Sequence, residues 1–189
     1  MHAGQNPFRS TRVESLRFRA PGFCWDRLLE RLATQQGRGA IRGENGRGKT
    51  TLLLELAERL GRQGYDVRRL RPDLDSASLA RRQVRALARE VSPETALLLD
   101  GADRVGVVEW RRLRWAARAA GVFVVTTHRE GRLPTLHRCA SSVELLSELV
   151  GELVEPGQGE ADSMRELFHA ERGDVRMALR VLYDRAAAG

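Results

Sequence analysis

Apolar residues along the 189-residue chain follow two alternating rhythms. Trp25, Leu28, Leu29, Leu32 and Ala33 recur at helical spacing. A short strand over 39–42 runs into a glycine-rich loop, and residues 52–60 then read as a helix stopped by Gly61 or Gly64. Residues 66–70 predict a short strand. Residues 78–91 predict a helix whose apolar face is Ala80, Val84, Leu87, Ala88 and Val91. Two continuous apolar runs, 95–99 and 121–127, have the pattern of strands buried on both faces, and the first ends at Asp100. Between them, residues 107–120 predict a helix closed by Gly121. Strands alternating with helices predict an α/β fold, with a parallel sheet between two helical layers.

The last fifty residues lose the strand signal. Ser141 and Glu144 have capping-box spacing ahead of Leu145, Leu146, Leu149 and Val150. An acidic Pro/Gly loop follows over 155–162. Asp162 is placed to cap a helix reaching about Glu171, which Gly173 stops. Asp174 then caps a last helix carrying Val175, Ala178, Leu179 and Leu182. The expected organisation is a core over 1–140 and a small helical lid over 141–189. In the N-terminal dozen residues, Asn6-Pro7-Phe8 alone suggests local packing.

Composition narrows the class. A chain 42% hydrophobic and 30% charged is not wholly disordered. No apolar run approaches the roughly 18 residues that span a bilayer, and the start has no apolar leader core. Cys24 and Cys139 stand too far apart in sequence to suggest a metal motif or a disulfide framework, so a cytoplasmic protein with reduced thiols is expected. The net charge is +7, divided into +12 over 1–140 and −5 over 141–189. Of 32 basic residues, 31 are arginine. Arg81, Arg85 and Arg89 beside Arg82, and Arg111, Arg114 and Arg118 beside Arg112, form one-sided stripes on predicted helices. Such stripes suit the phosphate backbone of nucleic acid, and a solvated face is the alternative. At 5% aromatic content no base-stacking platform is evident.

The single lysine, Lys49, falls in Gly43-Glu44-Asn45-Gly46-Arg47-Gly48-Lys49-Thr50, which fits the phosphate-binding loop G-x-x-x-x-G-K-[ST] at every fixed position. The glycines let successive N–H groups turn inward as an anion nest, and the following helix adds its positive end through Thr50 and Thr51. Lys49 reaches β- and γ-phosphate oxygens as a point charge, and the Thr50 hydroxyl ligates Mg²⁺. Glu44, Asn45 and Arg47 lie within the loop and complete the expected nucleotide contacts. In a chain that otherwise uses arginine, the one lysine stands where a planar guanidinium would not substitute.

The run Ala96-Leu97-Leu98-Leu99-Asp100 ends in a carboxylate suited to the Mg²⁺ water shell. Asp103 is the expected general base, with Glu44 as the alternative. Thr127 and His128, at the tip of the next apolar run, are positioned as γ-phosphate sensors. Taken from about Gly39 to Ala187, the chain resembles the additional-strand P-loop ATPases, and within them the AAA+ and STAND groups. The Asp100-Gly101-Ala102-Asp103 spacing is similar to STAND proteins. Thr127 resembles an AAA+ sensor, whereas His128, 28 positions after Asp100, resembles the switch histidine of ABC ATPases. Gly173-Asp174-Val175-Arg176 resembles the second-sensor motif of AAA+ lids, which implies that Arg176 reaches the phosphates. The 51 positions from Lys49 to Asp100 leave no room for an ABC helical subdomain, and no L-S-G-G-Q signature occurs. No glutamate follows Asp100, and Arg104, Arg129 and Arg138 are the candidates for an arginine acting in trans.

The expected function is therefore a Mg²⁺-dependent ATPase working as a switch or motor on a macromolecular partner, with nucleic acid, a protein or a second copy as partner and no membrane. A small-molecule kinase, with 129–138 as a phosphate-clamping lid, and a non-hydrolysing ATP-gated binding module are the alternatives.

Overall fold

The computed structural model describes residue 8 and residues 16–72, 90–153 and 161–188. They form two compact units. One contains residues 24–43 and 52–138. The other gathers residues 1–23, the loop 44–51 and residues 139–189. One boundary between the units falls at 138/139, and the loop 44–51 groups with the C-terminal helices.

The first unit is built on a five-stranded sheet. Its strands are β1 (Arg38–Arg42), β2 (Asp66–Leu70), β3 (Thr95–Leu99), β4 (Val122–Thr127) and β5 (Thr135–Arg138), in the order β2-β3-β4-β1-β5. Every pairing is parallel. All residues of β3 and β4 are buried, as continuous apolar runs require in a sheet covered on both faces. Leu97, Leu99, Phe123, Val125 and Ala40 cluster on one face with Trp110, Leu113 and Ala117. The alternate residues Leu98, Val124 and Ile41 are equally buried and point to the opposite face. Helix α1 (Trp25–Thr34) precedes β1, and α2 (Lys49–Arg62) follows the loop. Helix α3 (Val107–Ala116) is shorter than expected, because residues 117–119 tighten into a 3₁₀ turn before β4.

Strand β5 has no counterpart in the sequence reading. It is a four-residue edge strand, too short for a periodic signal, and Leu136 is its one fully buried side chain. A Cβ on Gly39 would lie 2.9 Å from the Leu136 Cβ, so the close approach of β1 and β5 requires glycine there. On its outer side β5 is held by α1, whose Arg31 Nη1 donates to Leu136 O at 3.2 Å and whose Gln35 Nε2 donates to Thr135 O at 3.3 Å. Residues 135–138, expected in the kinase alternative to belong to a lid, are therefore part of the sheet. The helix expected over 78–91, with Arg81, Arg82, Arg85 and Arg89, and the loop over 155–162 fall mainly outside the described residues.

The second unit packs α4 (Val143–Leu153), α5 (Ala161–Ala170) and α6 (Val175–Ala188) around Leu146, Leu149, Val150, Met164, Leu167, Ala178 and Leu179. Phe8 is buried in the same cluster, so its packing is with helices distant in sequence and not the local packing expected. The cap of α4 is shifted by one residue. Ser142, rather than Ser141, accepts the N–H of Leu145 at 3.2 Å. A hydrogen bond with Ser142, joined by the residue's own N–H, holds the Glu144 carboxyl below its usual range. Asp174 caps α6 as expected, accepting from Met177 N at 3.0 Å. Helix α5 starts at Ala161, so Asp162 lies inside it and not at its cap.

Candidate functional site

The loop from Gly43 to Gly48 leaves the C-terminal end of β1 and enters α2 at Lys49. Gly46 and Gly48 have φ of 67° and 80°, the left-handed region that other residues rarely adopt. Gly46 is doubly constrained, since a Cβ there would collide with the Asp174 carboxylate at the cap of α6. The first turn of α2 contains Lys49, Thr50 and Thr51 and no acidic residue, so no side chain of that turn opposes an anion at its positive end. The Lys49 ammonium donates to the loop carbonyl of Glu44 at 2.6 Å. Glu44 and Asn45 are exposed.

Arg47 has a different setting from the one expected. Its side chain is only 15% exposed. The guanidinium donates to the Ser141 hydroxyl, to Glu44 Oε2 at 2.9 Å and to the backbone oxygen of Arg172 at 3.1 Å. Ser141 in turn donates to Gly173 O at 2.7 Å. The turn between α5 and α6 is shaped to receive this side chain. Arg172 takes the left-handed conformation at φ 53°, and Gly173 N bonds back to Phe168 O at 2.7 Å, closing α5 as a Schellman motif. A Cβ on Gly173 would collide with the Arg47 guanidinium. Arg176 lies exposed on the first turn of α6.

The strand-end residues form a separate cluster within the sheet unit. Register pairs Leu99 with Val125, which brings Asp100 beside Thr126. The Thr126 hydroxyl donates to Asp100 Oδ1 at 2.7 Å and accepts from Gly101 N at 2.7 Å. Asp103 is held by the next residues of the same strand end. Its Oδ1 accepts from the Thr127 hydroxyl at 2.8 Å, and its Oδ2 from His128 N at 2.7 Å. Burial pushes the Asp103 carboxyl up, but the N–H of His128, the Thr127 hydroxyl and the nearby His128 charge together bring it below its ordinary value. His128 is exposed and contributes its N–H rather than its ring to these bonds.

No protein-family model and no curated protein matches the chain.

Two positions that hold candidate residues in place escaped the sequence reading. Thr126 fixes the Asp100 carboxylate, and its signal is parallel register, which no single segment carries. Ser141 serves Arg47 and the α5–α6 turn, although its spacing to Glu144 suggested a cap. Among the arginines expected to act in trans, Arg138 pairs with Glu130 at 3.3 Å, while Arg104 and Arg129 are exposed. Glu130 also pairs with Arg42 at 2.6 Å. Among the described residues no three His, Cys, Asp or Glu side chains converge to hold a metal ion. Thr50 belongs to one unit and Asp100 to the other, and each offers an oxygen donor of the type that a hard cation such as Mg²⁺ takes. Among the described residues no helix is long and apolar enough to cross a membrane.

Proposed function

We propose that the chain is a Mg²⁺-dependent ATP-binding protein that acts as an ATPase switch or motor on a macromolecular partner. The observation that carries this reading is the loop 43–50, which runs from the end of a parallel strand into a helix whose first turn is Lys49-Thr50-Thr51 without an acid. A second support is strand order. β4 is interposed between β1, which feeds the loop, and β3, which ends at Asp100, as the name additional-strand ATPase implies.

In this reading the loop N–H groups and the α2 dipole bind the phosphates, and Lys49 leaves Glu44 O to neutralise β- and γ-oxygens. Thr50 and Asp100 would hold Mg²⁺, which supplies charge neutralisation on the phosphates. Thr126 orients Asp100 through its short hydrogen bond. Thr127 and His128 sense the γ-phosphate, and Asp103 holds their segment in place. Arg176 reports from α6.

A second reading, an ATP-gated module that turns over little ATP, is favoured by Asp103 itself. Both its oxygens accept hydrogen bonds, and its lowered proton affinity weakens it as a general base.

Thermal unfolding with and without MgATP tests the proposal. Ligand at a hundred times its Kd stabilises the parent by about 2.7 kcal/mol, and Lys49→Ala is expected to lose that gain. Parental ATP affinity in Lys49→Ala would sink the assignment. Phosphate release without an acceptor selects the ATPase over the kinase, and intact binding without release selects the gated module.

A further inference from the structure

Helix α3 exposes large apolar side chains on the face turned from the sheet. Val107 is 68% exposed, Val108 54% and Trp115 65%. Trp110, Leu113 and Ala116 occupy the buried face. At about 100° per residue, Val108, Arg111 and Arg112 fall within about 60° of Trp115 around the helix axis, and Arg118 follows in the 3₁₀ turn that closes the helix. Arg111, Arg112, Arg114 and Arg118 are exposed. Glu109 is the one acidic residue of α3, and it faces Arg112 at 4.0 Å. The outer face is thus an open indole ring set among guanidinium groups.

We propose that this face binds single-stranded nucleic acid, with a base stacked on Trp115 and adjoining phosphates held by Arg111, Arg112 and Arg118. Two observations and one physical argument select that occupant. The charge of the face is positive and matches a polyanion, as does the +12 net charge of residues 1–140. The indole is exposed and so open to a planar partner. A duplex keeps its bases stacked on one another, so it would use the arginines and leave the indole idle, whereas a single strand uses both. Val108 extends the apolar surface beside the ring. The surface uses no residue of the loop 43–50, and the inference goes beyond the nucleotide reading.

The test is fluorescence anisotropy on the full chain with labelled oligo(dT) of about 20 nucleotides, a length that covers any single binding site of this kind. Trp115→Ala is expected to weaken binding about tenfold, the loss of one stacked base. Trp115→Phe keeps an aromatic face and is expected to retain most of the affinity, which guards against misfolding of the alanine variant. Arg111→Gln with Arg118→Gln is expected to flatten the dependence on salt between about 50 and 200 mM. Duplex DNA and polyglutamate are expected to compete poorly. Trp115→Ala is expected to bind ATP as the parent does, which keeps this surface distinguishable from the phosphate loop. The proposal is overturned if oligo(dT) does not bind at the lower salt, or if Trp115→Ala binds it as tightly as the parent. Equal competition by duplex would leave a backbone-only patch, and equal competition by polyglutamate would point to an acidic protein. Either result overturns it.

Discussion

Cys139 and Cys24 carry the same thiol in opposite surroundings. Burial pushes Cys139 up to about 12, against the pull of the Lys49 ammonium, whereas Cys24 is exposed. The reactive species is the thiolate, so at about pH 8 Cys139 is roughly 10⁻⁴ ionised and also shielded. A chromogenic disulfide reagent is expected to titrate one thiol rapidly in the folded protein and a second after denaturation. Cys24→Ser should remove the fast phase, and a fast phase that survives this change would refute the assignment. The same contrast of setting separates Lys49 from Arg47. Both are basic and two positions apart, yet Lys49 opens the first turn of α2 and donates to Glu44 O, whereas Arg47 is spent on the α5–α6 turn. The role expected of the lysine is legible because it belongs to a contiguous motif. The arginine's partners, Ser141 and Arg172, are distant in sequence and announce nothing locally.

Elements divide along the same line. β3 and β4 could be read directly, since five and six consecutive buried residues leave a continuous apolar run. The helices before and after them carry their own periodicity. β5 could not be read, because an edge strand of four residues owes its place to Gly39 on one side and α1 on the other. That strand also carries the clearest acid sensitivity. Burial keeps the His137 imidazole below its ordinary value, and the neighbouring Arg31 charge adds to the effect. A lowered folded value means that the native state binds fewer protons than the unfolded chain. The stability from neutral His137 is therefore present above the unfolded value near 6.5 and is lost as pH falls through it toward the folded value. Denaturant midpoints are expected to fall from about pH 7.5 to about pH 5.5, and His137→Leu should reduce that slope. An unchanged slope would mean that other groups set the acid limit.

On the scale of the whole molecule, the two units interleave along the chain, which crosses between them at 23/24, 43/44, 51/52 and 138/139. Charge and periodicity change near the last of these crossings, whereas composition marks none of the others, since residue 8 and the loop 44–51 join the helical unit through contacts rather than through any change of composition. The helical unit is accordingly not a self-sufficient tail. A fragment of residues 139–189 lacks Phe8, whose removal from a core costs about 3–5 kcal/mol, comparable with all the stability a module of this size has. It also lacks Arg47, which ties Ser141 to the α5–α6 turn. Circular dichroism of the fragment is expected to show partial helicity and no cooperative melt, and a sharp transition near that of the full chain would contradict this.

The tie between Arg47 and the α5–α6 turn has a thermodynamic corollary. A loop that shares hydrogen bonds with Arg172 and Ser141 cannot change conformation without altering the free energy of the turn that receives it. Whatever factor a loop ligand imposes on that turn, a molecule gripping the turn imposes on the loop ligand, because coupling free energy is reciprocal. If the loop binds a nucleotide as proposed, the C-terminal helices are a second handle on its affinity, one that a regulator can hold without touching a phosphate.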